Sequence, residues 1–177
     1  VELMQNAQIN TADYYDYLNL GFRIAAAAGS DFPWGSTIGD CRTFVYTGKD
    51  FSAHAWFAGL KAGHSFVSNG PAVFLEVDEK IPGMELQTKK NARVGITVKA
   101  LSNSTIGIID KIEIYSGDGL VFSQTNPQNK DSVIIQLNRK LRASDWITAA
   151  VYCSNGAIAH TSAVFCIVDK KPVFNKN

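Results

Sequence analysis

Asp31 is the acid best placed for chemistry in this sequence. It stands in a Gly-Ser-Asp turn directly after the apolar run Ile24 to Ala28, where a parallel sheet would present its functional loops. A carboxylate in that place can ligate a divalent cation or hold a nucleophilic water, and it can equally cap a turn. Phe32, Pro33 and Trp34 follow it and could line a pocket. Glu2 lies in the preceding strand and faces either the same pocket or solvent. The histidines, His54, His64 and His160, fall on a helix, a strand start and the last hairpin. They have no i, i+2 or i, i+4 pairing, so they make no metal site among themselves. No Gly-rich phosphate loop, serine elbow or cysteine with an evident partner appears, and Gly117 to Gly119 reads as a hairpin turn between alternating strands.

Two kinds of punctuation divide the elements that must position these residues. The first third alternates short apolar strands with amphipathic helices. Val1 to Met4 is a strand; a helix follows from Ala12 to Leu20, with Thr11 as N-cap and Gly21 as stop. Ile24 to Ala28 and Arg42 to Thr47 are further strands. Ser52 caps a second helix, in which Ala53, Trp56, Phe57 and Leu60 form the buried stripe and Gly63 ends it. After Asn69, Gly70 and Pro71 the period becomes two: Val73, Leu75, Val77; Val94, Ile96, Val98, Ala100; Ile112, Ile114; Val133, Ile135, Leu137.

Trp146 to Cys153 and Ile158 to Val168 close the chain around Asn155 and Gly156. Turn residues recur at Pro82 and Gly83, Asn103, and Asn126 and Pro127, and Lys170 to Asn177 reads as a polar, mobile terminus. The expected fold is α+β: a partial α/β segment over residues 1–71, then an antiparallel, immunoglobulin-like β-sandwich over 72–177. Val94, Ile96, Val98, Ile112, Ile114 and Trp146 should point into the sandwich.

Composition excludes several partners. The 177 residues carry 17 basic and 16 acidic side chains, so no electrostatic footprint marks nucleic acid. No apolar stretch approaches the roughly 20 residues of a membrane helix. Cys41, Cys153 and Cys166 lack metal-type spacing. With a two-residue turn at Asn155 and Gly156, Cys153 would face Ile158 and Cys166 would face Asp145, so free thiols are expected.

Tyr14 to Pro71 reads YYDYLNLGFRIAAAAGSDF, then CRTFVYT, then AWFAGLKAGHSFVSNGP. This series resembles the CehA/McbA branch of the PHP-type metallohydrolases, and DWITAAVY and AHTSAVFCIV look like that family's closing sandwich strands. The resemblance implies that residues 1–71 are the end of a PHP-like barrel and that Asp31 is a metal ligand and catalytic group. It further implies a divalent ion (zinc, manganese or iron) and a small-molecule substrate, an ester, amide or phosphoester. Relatives carry a histidine soon after the aspartate, where this chain has Phe32, Pro33 and Trp34, and commonly an arginine where this chain has His64.

The family's amino-terminal His-x-His strand is absent, and Val1 begins within a strand. The chain is therefore expected to be an inactive fragment holding metal weakly or not at all. Its apolar barrel faces should be covered by the sandwich, by a second copy or by a missing amino-terminal part. The rival reading is a non-catalytic sandwich module that presents loops to carbohydrate or protein.

Overall fold

The structure, a computed structural model, describes residues 1–6, 8–35, 37–126 and 128–174. Pro127 of the expected turn and the last three residues of the expected polar terminus lie outside them. The first elements are β1 (Glu2–Gln5), β2 (Gln8–Ile9), α1 (Ala12–Asn19), β3 (Ala27–Gly29), β4 (Arg42–Val45), α2 (Ala53–Lys61) and β5 (Ser65–Ser68). Nine strands follow: β6 (Ala72–Val77), β7 (Glu85–Thr88), β8 (Arg93–Leu101), β9 (Ile109–Ser116), β10 (Gly119–Thr125), β11 (Ser132–Lys140), β12 (Asp145–Cys153), β13 (Ile158–Thr161) and β14 (Val164–Val168). No helix falls between Val73 and Val168 among the described residues. The protein is mostly β.

A three-stranded sheet, β11-β8-β6, packs on an eight-stranded sheet whose path runs β10-β9-β12-β13-β5-β4, with β14 beside β12 and β7 beside β14. The strands alternate as period two requires. Val73, Leu75 and Val77, with Val94, Ile96, Val98 and Ala100, meet Ile112, Ile114, Ile147, Ala149, Val151, Val164 and Cys166 in the core between the sheets. Each such aliphatic side chain stabilises the fold by about 1.5–3 kcal/mol when fully buried, so this layer outweighs any surface contact.

The large sheet is also covered on its outer face. Trp146, Phe165 and Ile167 point away from the sandwich core and pack with Val67 against Leu3, Met4, Tyr14, Leu18 and Ala26. That second layer explains why β12 is buried along nearly its whole length. Trp146 is buried as expected, but in the outer layer under α1 rather than between the sheets. β12 places odd-numbered residues inward, and position 146 belongs to the other face.

The expected barrel-like α/β segment is not supported. β1 and β3 are parallel neighbours, but β2 is antiparallel to β1. β4 and β5 are antiparallel and join the sandwich sheet through β13. The strand expected at Ile24 to Ala28 begins only at Ala27, because Ala26 bonds side chains instead of a ladder. Its N–H donates to Ser162 Oγ at 2.8 Å and its carbonyl accepts from Ser65 Oγ at 2.9 Å.

The stripe expected on α2 is met only in part: Trp56 and Leu60 are half-buried, Ala53 and Phe57 are exposed, and Gly59 is the buried residue. α2 approaches β4 through that glycine, where a Cβ would stand 2.8 Å from Tyr46 O, and Phe57 is turned outward. Ser52 caps α2 as expected, its Oγ accepting from Ala55 N–H at 3.2 Å, whereas Thr11 makes no side-chain cap on α1.

The last hairpin turns over three residues, not two. Cys153 N–H donates to Ala157 O and Tyr152 faces Ile158, with Gly156 at φ +86°. This is the three-residue turn with a left-handed glycine. The break between β13 and β14 restores the expected pairing of Cys166 with Asp145. Cys153 and Cys166 are buried free thiols.

Candidate functional site

Asp31 sits two residues beyond β3, at the carboxyl end of a parallel pair in which Met4 faces Ala28 and Gln5 faces Gly29. Its φ of +53° is left-handed, a conformation that aspartate adopts more readily than most residues. The loop is braced from within. Gly35 N–H donates to Asp31 O at 2.6 Å, and Gly39 N–H donates to Ser30 Oγ at 2.9 Å. Gly35 cannot carry a side chain, because a Cβ would lie 2.2 Å from Ser30 O. Asp31 is exposed, Phe32 and Trp34 beside it are exposed, and Trp34 is 85% so. Glu2 leans over Gly29, its Oε1 lying 2.4 Å from where a Cβ of that glycine would be. No group of three His, Cys, Asp or Glu side chains able to hold a metal occurs among the described residues.

The histidines separate. His54 is exposed on α2. His160 is fully buried; one ring nitrogen lies 2.7 Å from Tyr15 Oη and the other 2.8 Å from Thr161 O. Burial pushes its pKa down to about 4, so the ring is neutral, donating from Nδ1 to Thr161 O and accepting the Tyr15 hydroxyl at Nε2. His64 is half-buried, and burial likewise lowers its pKa.

His64 lines an apolar groove of about 460 Å³ between the two sheets, with Phe44, Tyr46, Phe66, Phe74 and Ile81 among its walls. Phe44 and Phe66 stack at 4.7 Å and 8°, and Phe74 meets Phe66 edge-on at 5.7 Å. Sequence reasoning missed this feature. Its signal was the i, i+2 pair Phe44 and Tyr46, which puts two aromatic side chains on one face of a strand.

A second cleft, of about 370 Å³, is polar. There Arg139 Nη2 donates to Ser116 Oγ at 2.9 Å, Asp118 Oδ2 at 2.8 Å and Asp145 Oδ2 at 3.0 Å. On the outer face of β9, Glu113 accepts from Tyr115 Oη and pairs with Lys111 Nζ at 2.7 Å. Burial raises the Glu113 pKa, but the Lys111 and Tyr115 hydrogen bonds outweigh it and hold the group ionised below its usual range. Asp31 lines neither cleft.

No family model and no curated protein matches this sequence. Among solved structures, the fibronectin(III)-like modules of Clostridium thermocellum CbhA align over 53% of this chain and 94% of theirs, at 13% identity and a TM-score of 0.36. The CARDB domain of a Pyrococcus furiosus protein, in complex with di-metal ions, aligns over 56% of this chain and 96% of its own, at 20% identity and a TM-score of 0.31. A superoxide reductase (neelaredoxin) from Ignicoccus hospitalis aligns over 55% of this chain and 81% of its own, at 18% identity and a TM-score of 0.32.

Proposed function

We propose that this chain is the carboxy-terminal portion of a metal-dependent hydrolase acting on an ester, amide or phosphoester, and that Asp31 is the ligand it contributes. The observation that supports this reading is the β1-α1-β3 crossover. Two parallel strands joined through a helix send the loop after β3 outward at their carboxyl edge, and Asp31 stands exposed on it. When bound, a divalent ion supplies hydroxide at neutral pH and polarises the substrate oxygen.

The described residues do not complete such a centre. Asp31 is one oxygen donor, and a tight divalent site takes three or more protein ligands. On this reading the remaining ligands come from outside the described residues. This chain's own residues hold the loop: Ser30 and Gly35 fix its backbone, and Phe32 and Trp34 offer apolar surface beside the carboxylate.

The test uses the longer polypeptide that carries this chain. Asp31→Asn should remove bound metal and lower turnover of nitrophenyl ester and phosphoester substrates at least about tenfold, the lower end of what a weakened metal shell costs. Circular dichroism should stay unchanged, since an exposed carboxylate contributes little to stability. Unchanged metal content and turnover would leave Asp31 as a turn residue. The aromatic groove favours a second reading, a non-catalytic sandwich module, and that reading predicts no metal-dependent turnover from the longer polypeptide at all.

A further inference from the structure

The two sheets are unequal, and among the described residues the larger one outreaches the smaller. β6 is the edge of the three-stranded sheet; it packs over β12 and β13 and reaches β5, whereas β4 lies one strand further out. Phe44 pairs with Phe66 in the β4-β5 ladder, and Tyr46 N–H continues it to His64 O at 2.8 Å. Cross-strand partners share a face, and so do residues two apart on one strand. Phe44, Tyr46, His64 and Phe66 therefore stand on the same side as the core between the sheets, against which Phe66 packs. With the edge of β6 they border the groove of about 460 Å³, a size within the roughly 300–1,000 Å³ of small-molecule sites.

The floor of the groove makes no polar demand on a ligand. It is formed by Val73, Leu75, Ser65 and Thr161, all buried, and its hydroxyls are already engaged. Thr161 Oγ1 accepts from Ala149 N–H at 3.0 Å, and Ser65 Oγ donates to Ala26 O at 2.9 Å. Phe74 packs on Phe66 across the β6 edge at 5.7 Å, so the lining offers side chains and not an open main-chain ladder. The polar side chains left at the mouth are Tyr46 and Glu76, both exposed, and His64, half-buried. Burial lowers the His64 pKa, so its ring is neutral at pH 7. Glu76 is the single carboxylate on the lining, and no lysine or arginine joins it; Lys99, which faces Phe74 from β8, is not part of the lining.

We propose that this groove binds a small apolar molecule carrying one protonated amine, with the apolar body against Phe44 and Phe74 and the ammonium at Glu76. Phe44 lies parallel to Phe66, 4.7 Å away at 8°, and is exposed, so the outer face of the pair is open to a flat body. Aromatic faces carry negative potential and attract a cation as well. A fatty acid or another anion would set its charge against Glu76, with no cationic side chain on the lining to receive it. A sugar would bring more hydroxyls than the mouth can pair. Asp31 is not on this lining, so the inference stands apart from the metal-site reading.

Naphthylmethylamine, naphthylmethanol and naphthoate share one apolar body and differ in charge, so titrating each into the full chain by isothermal titration calorimetry at low salt tests body and charge separately. The amine should bind saturably and about two- to fivefold more tightly than the alcohol, the scale of an exposed ion pair, with the carboxylate weakest. Glu76→Gln should abolish that ranking and leave the alcohol unchanged. Phe74→Ala should weaken amine and alcohol alike, by about fivefold or more. Both positions are exposed, and unchanged circular dichroism checks that each variant keeps the fold. Absence of saturable amine binding, a carboxylate that binds as tightly as the amine, a ranking that survives Glu76→Gln, or binding indifferent to Phe74→Ala would each overturn the proposal. So would self-association of the chain that Phe74→Glu abolishes, which would assign the groove to a second copy.

Discussion

The indole N–H of Trp146 donates to Asn19 Oδ1 across 2.8 Å, joining residues 127 positions apart. Both are buried, and the Tyr15 ring lies 4.9 Å from the indole. This contact fastens α1 to the outer face of the sandwich. Trp146→Phe keeps most of the packing but leaves Asn19 Oδ1 without the indole, at a cost of about 1–3 kcal/mol. Trp146→Ala should cost about 3–5 kcal/mol. Urea unfolding measures both, and a loss below about 1 kcal/mol for alanine would show that α1 is held by other contacts.

His160 makes stability depend on pH. Its folded pKa, about 4, lies below the ordinary value of 6.5 because burial disfavours the imidazolium. The unfolded chain therefore binds the extra proton first. Stability from this group is full above about pH 6.5 and falls as pH drops towards 4, by about 3 kcal/mol in all. His160→Gln cannot take up that proton, so the difference between variant and parent stability should change across this window. Parallel curves from pH 7 to pH 4 would mean that His160 titrates normally.

The sandwich was legible because period-two patterning is a local property: every inward position from Val73 to Val98 followed from alternation. The outer layer was not. Nothing near Trp146 in sequence states that α1 will cover its face of β12, and that cover comes from residues more than a hundred positions away. Helical spacing at Trp56, Phe57 and Leu60 suggested a buried stripe, yet the closest approach is made at Gly59, which leaves Trp56 and Leu60 half-buried and Phe57 exposed. Asp31 could be placed at a strand end from its neighbours, whereas the groove required β4, β5 and β6 to meet.

Gly83 fixes the approach of the turn after β6 to the end of α2. Its φ is +88°, its N–H donates to Ala163 O at 2.7 Å, and a Cβ there would stand 1.9 Å from Ala62 O. Strain and collision act together on a backbone neighbour that cannot rotate away. Gly83→Ala should lose at least about 2 kcal/mol, while Gly119→Ala, at φ +87° with open space around it, should lose only about 1 kcal/mol. Thermal unfolding of the pair checks this, and equal losses would mean that backbone conformation alone sets the cost.

Arg139 is the counter-ion that lets Asp145 be buried. Burial raises the Asp145 pKa, whereas hydrogen bonds from Gly117 N–H and Trp146 N–H and the charge of Arg139 oppose that rise. Removing the guanidinium leaves a buried carboxylate short of its partner, so Arg139→Met should cost about 3–5 kcal/mol at pH 7. The sign of the pH effect follows from linkage. In the variant the folded pKa of Asp145 rises further above its unfolded value, and the penalty grows as pH rises through that interval. The deficit should therefore be smallest near pH 4, where Asp145 takes up a proton in the folded state. Adding Asp145→Asn should recover part of the loss at pH 7 by removing the uncompensated charge. Asp118, whose side chain is 82% exposed, should matter little, and Asp118→Asn should cost less than about 1 kcal/mol. Urea unfolding of the four proteins at pH 4 and pH 7 separates the possibilities, and a deficit in Arg139→Met that is the same at both pH values would assign the arginine's role to packing instead of charge.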